Sequence, residues 1–188
     1  MQQQYKWWEF RKPLLDTKQI HTLNKTILNN YESEQHPDLG ATDKEGNYLK
    51  NIKPKNISLK FIPTPYCDVI LSLAFYICHY EFGLITFPPN IWDMLLYNVY
   101  SGDIKGKYGE HTDASRSWTH DTKMTFLLNL SEEPYEGGDF IINGQTQHFF
   151  REPGTAILFR SYLRHEVTPV TRGDRISLTY FIHGPKFQ

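Results

Sequence analysis

The sequence predicts a mainly β protein with flanking helices. Three observations lead there. Eight short segments between residues 93 and 182 have strand composition, turn residues stand between most of them, and two apolar stripes at helical spacing precede them. Eight short strands in about 90 residues suggest a double-sheet jelly roll, the double-stranded β-helix of cupin-like proteins. The N-terminal helices would then cover the outer face of one sheet.

The elements follow in chain order. Asp16 with Gln19 three residues later has the form of a capping box. Ile20, Leu23, Ile27 and Tyr31 then repeat at helical spacing, which predicts an amphipathic helix. Residues 32–56 are rich in Asp, Glu, Lys, Asn and Gly and read as a polar loop. Thr64-Pro65 starts a second helix, with proline at its first position. Tyr66, Val69, Ile70, Leu73, Ala74 and Ile77 form its apolar stripe, and Gly83 ends it. Both helices read as packing elements.

The predicted strands are 93–100, 107–111, 123–130, 138–142, 145–150, 156–160, 164–167 and 175–182. Asn143-Gly144 is a hairpin turn, because both residues tolerate positive φ. Pro153-Gly154 and Arg172-Gly173-Asp174 are further breaks. The last strand is apolar on both parities, so both of its faces are expected to be buried.

The bulk properties bound the function. A chain of 188 residues reads as one domain, with a support region over 1–92 and a catalytic core over 93–185. The net charge of −1 argues against a nucleic-acid partner, which calls for a basic surface. Lys50, Lys53, Lys55 and Lys60 read as a solvated strip. Two cysteines, Cys67 and Cys78, do not make a disulfide framework and read as reduced thiols. The N-terminus lacks a basic-then-apolar leader, and the run from Val69 to Cys78 is too short to cross a bilayer. The expectation is a cytoplasmic protein with no membrane partner.

Four residues carry the chemistry. His111 and Asp113 lie two apart at the end of the second core strand, so both can face one point. His165 opens the seventh core strand, which neighbours the second in a jelly roll. Two imidazoles and a carboxylate on one face of an ion leave positions open, an arrangement suited to Fe(II) oxygen chemistry. Arg175 opens the eighth core strand. A guanidinium pointing into a barrel needs an anionic partner, and a dicarboxylate such as 2-oxoglutarate supplies one: one end chelates iron, the other pairs with Arg175. Ser177 and Thr179 share the parity of Arg175 and offer hydroxyl donors, with Phe181 as a wall.

A second His-x-Asp pair, His36-Pro-Asp38, is rejected as a metal site. It lies in the polar loop, and Pro37 does not suit a central strand. His120 reads as a loop histidine. Arg172 directly precedes a turn glycine, so Arg175 is the better anion anchor.

The motifs together resemble a known superfamily. Tyr97-Asn-Val-Tyr100-Ser-Gly followed by Tyr108-Gly-Glu-His111-Thr-Asp113 is similar to the second-strand signature of the 2-oxoglutarate and Fe(II)-dependent oxygenases. Pro134-Tyr-Glu-Gly-Gly138-Asp-Phe140 resembles a motif of their prolyl-4-hydroxylase-like branch. The block from His165 to Arg175, and the ending Tyr180-Phe-Ile-His-Gly-Pro185, resemble the same branch, as found in small single-domain oxygenases of bacteria and phages.

The resemblance implies that His111, Asp113 and His165 bind Fe(II) and that Arg175 anchors 2-oxoglutarate. It implies that Tyr100 lies near the cosubstrate. It also implies an O2-dependent hydroxylase releasing succinate and CO2, with ascorbate as an accessory reductant. Some relatives add a tyrosine from the third core strand to the distal carboxylate. Here Met124-Thr-Phe-Leu-Leu-Asn129-Leu has none, so Asn129 or a Ser or Thr hydroxyl is expected to substitute. The loop 114–122, with Arg116 and Trp118, is expected to help cover substrate, and Tyr108 is a third candidate contact.

Three functional readings compete. The first is hydroxylation of a prolyl residue in a protein or peptide. The second is the same chemistry on a free amino acid, small metabolite or nucleobase. The third is a non-catalytic metal- or dicarboxylate-binding sensor.

Overall fold

The computed structural model describes residues 6–33, 57–89, 93–114 and 119–186. Three antiparallel sheets carry the fold. The largest has six strands in the order β1 (Trp7–Phe10), β9 (Ala156–Arg160), β5 (Asp121–Asn129), β12 (Asp174–Gly184), β3 (Met94–Ser101) and β2 (Ser58–Pro63). The second has four: β4 (Tyr108–His111), β10 (His165–Val167), β7 (Phe140–Ile142) and β8 (Gln145–Thr146). A short pair, β6 (Glu136–Gly137) and β11 (Val170–Arg172), completes them. This is the predicted double-stranded β-helix, faced on one side by helices α1 (Thr17–Asn30) and α2 (Asp68–Tyr80).

Two cores result from alternation along the strands. Met124, Phe126 and Leu128 of β5 join Leu178, Tyr180 and Ile182 of β12 against Ile20, Ile27, Leu71 and Ala74 of the helices. The opposite parities look between the sheets, where Leu127, Phe140, Phe159 and Val167 pack together. β5 is buried at every position and β12 over most of its length, as expected for strands covered on both faces. The Asn143-Gly144 turn has φ of 48° and 73° and joins β7 to β8, as the dipeptide predicts.

α1 starts as the sequence states. Asp16 accepts a hydrogen bond from the Gln19 backbone N–H, and the Gln19 side chain accepts one from the Asp16 N–H. Ile20 and Ile27 are fully buried.

Several expectations are corrected. The strands of the 1–92 support region, β1 and β2, were not located in the sequence and form both edges of the large sheet. Thr64-Pro65 opens a single 3₁₀ turn, and α2 begins at Asp68. Its buried face is Leu71, Ala74, Ile77 and Cys78, whereas Val69 is 85% exposed and Leu73 39%. The predicted stripe is rotated because this helix is apolar nearly all round, so periodicity does not fix its phase. The 145–150 segment keeps only Gln145–Thr146 as strand and closes into a 3₁₀ turn at His148–Arg151. That turn drives Phe150 inward. Lys60 is buried and donates to the Tyr31 carbonyl at 2.5 Å. His36, Asp38, Lys50, Lys53 and Lys55 lie outside the described residues.

Candidate metal and anion site

Strand pairing brings the histidines together. In the β10–β4 ladder His165 is the partner of His111, and their ring centroids are 4.2 Å apart. Asp113 lies two residues beyond the end of β4. Its N–H donates to the Ser161 carbonyl at 2.8 Å, which pins the backbone to the β9–β10 connection. One ligand atom from each of His111, Asp113 and His165 falls within 4.8 Å of the others. Among the described residues this is the one such group of three or more.

Hydrogen bonds orient both rings. His111 Nδ1–H donates to the Gly109 carbonyl at 2.8 Å, and His165 Nδ1–H to the Leu163 carbonyl at 2.9 Å. That turns each Nε2 inward, 3.4 Å and 3.2 Å from the Asp113 carboxylate, where it donates a hydrogen bond when protonated and offers a lone pair to a metal when neutral. Tyr108 stacks on His111 with centroids 3.6 Å apart, so it braces the imidazole as well as lining the cavity.

The electrostatics follow from burial and proximity. Burial disfavours the charged Asp113, yet the two imidazoles outweigh it and hold the carboxyl well below the usual range. At His111 burial wins and lowers the ring's pKa. At His165 burial is overcome by the Asp113 charge, and the pKa is raised. An anionic carboxylate beside imidazole lone pairs is the donor set of a divalent transition metal, and its remaining side opens on a cavity of about 390 Å³.

Arg175 projects into the same cavity from β12 and is only 2% exposed. Its Nη1–H donates weakly to Ser177 Oγ at 3.3 Å, and its guanidinium lies 5.0 Å from the Tyr100 ring and 5.6 Å from that of Phe150. Nη2 is buried with no hydrogen-bond partner among the described residues. A buried cation left this way is costly and calls for an anion. Gly138 makes room for it: at φ 63°, an added Cβ would stand 3.1 Å from Arg175 Cδ and 2.8 Å from Val170 Cγ2. That explains the Gly-Gly in the 134–140 motif. Arg172, by contrast, is exposed and paired with Glu136.

The remaining expected residues divide. Tyr100, Ser177 and Thr179 line the cavity, and Thr179 accepts from Asn98 Nδ2 at 3.1 Å. Burial raises the pKa of Tyr100, keeping it a neutral phenol. Asn129 does not line the cavity. Its amide donates to the Phe150 and Glu152 carbonyls and its oxygen accepts from the Ser131 N–H, so it holds the 147–155 turn instead. Leu127 occupies the cavity wall on the third core strand. Arg116 and Trp118 lie outside the described residues.

The cavity also contains residues that the sequence did not single out. Asn98, Thr125 and Leu127 have the cavity-facing parity of β3 and β5, a signal available once those strands are drawn, whereas Thr122 reaches the cavity through the register shift between Met124 and Thr122. His183 continues the Arg175 parity along β12, and its ring meets His120 at 4.8 Å. Phe61 comes from β2, which no sequence pattern announced.

Comparison with known proteins supports the same reading. The model of the 2OG-Fe(II) oxygenase superfamily matches residues 95–183. Over these residues the chain is similar to the 2OG-Fe(II) oxygenase superfamily. All four residues His111, Asp113, His165 and Arg175 fall within this oxygenase segment. A PKHD-type hydroxylase of Nitrosomonas europaea is 35% identical over 95 residues, covering 46% of this chain and 41% of that protein. The chain thus spans less than half the length of that relative. The oxygenase fold extends further. A prolyl-4-hydroxylase of Pseudomonas putida superposes with a TM-score of 0.67 at 16% identity, over 97% of this chain and 94% of that one. A Trichoplax adhaerens prolyl hydroxylase, solved with a hypoxia inducible factor peptide fragment, also superposes at 0.67, with 13% identity, 95% of this chain and 84% of that one. No helix among the described residues is long and apolar enough to cross a membrane.

Proposed function

We propose that this chain is an Fe(II)- and 2-oxoglutarate-dependent hydroxylase, acting on a prolyl residue of a protein or peptide. One observation carries the reading: a two-histidine, one-carboxylate cluster shares a cavity with a buried guanidinium whose Nη2 has no partner among the described residues. A divalent cation held by one carboxylate, beside that guanidinium, leaves two positive charges in the cavity. A dicarboxylate cancels both.

In this reading His111, Asp113 and His165 hold Fe(II), and Arg175 holds the distal carboxylate, assisted by Ser177. Bound Fe(II) and 2-oxoglutarate supply the O2-dependent oxidation that yields succinate, CO2 and a hydroxylated carbon. The protein's part is orientation and exclusion of water. Gly109 and Leu163 carbonyls fix the imidazole tautomers. Leu127, Phe140 and Val167 give the cavity apolar walls. β12 grades the cavity along its length: Arg175, Ser177 and Thr179 give a polar end for cosubstrate, and Phe181 and His183 an aromatic end for substrate. An apolar pyrrolidine ring suits that end. The peptide in the Trichoplax neighbour supports a protein substrate, and the fold shared with the Pseudomonas prolyl-4-hydroxylase supports proline. Two buried free thiols, Cys67 and Cys78, are in keeping with work in the reducing cytoplasm.

The test is anaerobic titration with Fe(II) and 2-oxoglutarate, then O2-dependent succinate release with a panel of proline-containing peptides. Mass spectrometry should show a gain of one oxygen on proline. Oxygen added to a free metabolite instead would move the reading to the small-molecule class. Succinate release with no panel member would overturn it.

A further inference from the structure

We propose that Thr125 is a positioning residue for the Asp113 carboxylate and sets the affinity of the metal site. The inference rests on the metal reading above. Asp113 stands beyond the end of β4, so no strand ladder holds it. Its backbone is tied to Ser161, and its side chain to Thr125, whose hydroxyl donates to Oδ2 at 2.7 Å.

The tie crosses between sheets. His111 and His165 come from the four-stranded sheet, and Thr125 from the middle of β5 in the six-stranded sheet. Thr125 is 1% exposed, and its backbone is locked in register with Phe181 on one side and Phe159 on the other. Its hydroxyl is therefore delivered to a fixed point.

The two imidazoles cannot replace it. With each Nδ1–H given to a backbone carbonyl, a neutral ring presents Nε2 as a lone pair, and a cation takes both lone pairs. Among the described residues Thr125 is then the remaining side-chain donor to the carboxylate. A carboxylate that ligates through one oxygen needs a donor on the other to hold its plane. Without Thr125, Oδ2 is buried and unsatisfied, and the carboxylate is free to turn. β-Branched residues favour strands, so a threonine here also has a packing role. The isosteric valine separates the two.

The experiment compares Thr125→Val and Thr125→Ser with the unmodified protein in anaerobic titration calorimetry with Fe(II), and in the absorption spectrum with Co(II). Valine keeps the shape and removes the donor; serine keeps the donor and removes the methyl. Thr125→Val is expected to weaken Fe(II) binding by about 10- to 100-fold and to change the Co(II) ligand-field bands. Thr125→Ser should stay within a few-fold of the unmodified protein, with its spectrum. Apo melting temperatures report separately on packing. Equal metal affinity and spectra in all three would overturn the proposal. Parallel losses in both variants would do so as well, since they would mark a packing role. If the unmodified protein binds neither metal, it is the metal reading of the site that fails.

Discussion

His165 lies directly opposite His111 across the β4–β10 ladder, although most of the jelly roll is threaded between them in sequence. The pairing makes two imidazoles neighbours by backbone register rather than by side-chain reach. Metal affinity should therefore depend sharply on each ligand. His165→Ala or Asp113→Ala is expected to weaken Fe(II) binding by at least about 100-fold, since loss of even an outer-shell partner costs 10- to 100-fold. Anaerobic Fe(II) calorimetry measures it, with the circular dichroism spectrum expected to stay that of the unmodified protein.

Arg175 should show opposite effects on stability and on binding. Its Nη2 is buried without a hydrogen-bond partner among the described residues, so the apo fold carries a charge that is only partly compensated. Arg175→Met removes the charge at similar length and is expected to leave the apo melting temperature unchanged or raised. The same change should weaken 2-oxoglutarate binding by roughly 100-fold or more, the loss of a buried bidentate pair. A melting temperature that falls while cosubstrate affinity holds would contradict both halves.

Much of this was legible in the sequence, for physical reasons that can be named. The iron-type cluster was readable because its members sit at strand ends set by turn residues: Asp113 just past β4, His165 at the start of β10, and Arg175 one residue after Gly173-Asp174. The α1 cap was readable because a capping box is local chemistry. β2 was not, since Ser58-Leu-Lys-Phe-Ile-Pro63 has a buried lysine and a terminal proline, and only pairing with β3 makes it a strand. Asn129, expected as an alternative to a Ser or Thr hydroxyl in place of a tyrosine on the third core strand, instead gives its amide to a tight turn. Thr125 has the cavity-facing parity, but its bond to Asp113 was not legible, because it is a contact between sheets.

The rotated face of α2 can be tested by a pair of substitutions. Leu71 is 1% exposed and packs among both helices and the sheet, so Leu71→Ala should cost about 2–5 kcal/mol. Val69→Ala, at a solvent-facing position, should stay within about 0.5 kcal/mol. Urea denaturation separates the two, and equal costs would mean that the helix presents another face.

Cys67 and Cys78 should be silent thiols. Both are buried, and burial pushes each thiol up to about 12. The reactive thiolate then accumulates only as pH rises toward that value, so at pH near 8 alkylation of the native protein should be far slower than that of an unfolded thiol near 8.5. Both should label at once in denaturant. Rapid native labelling at neutral pH would show that the helix-side core opens readily.

Gly138 couples the turn of the 134–140 motif to the anion anchor, and Gly138→Ala should disturb both. The residue sits at φ 63°, where an L side chain is strained, and the new methyl would press on Val170 Cγ2 at 2.8 Å and Arg175 Cδ at 3.1 Å. Strain and overpacking of this kind cost about 1–3 kcal/mol. Arg175 Nη2 has no hydrogen-bond partner among the described residues, so part of the strain should be relieved by moving the guanidinium. A lower melting temperature is therefore expected together with weaker 2-oxoglutarate binding, while Fe(II) affinity stays close to that of the unmodified protein, since none of the atoms pressed by the methyl belongs to His111, Asp113 or His165. Calorimetry with each ligand separately distinguishes this pattern from general unfolding, which would lower both affinities alike.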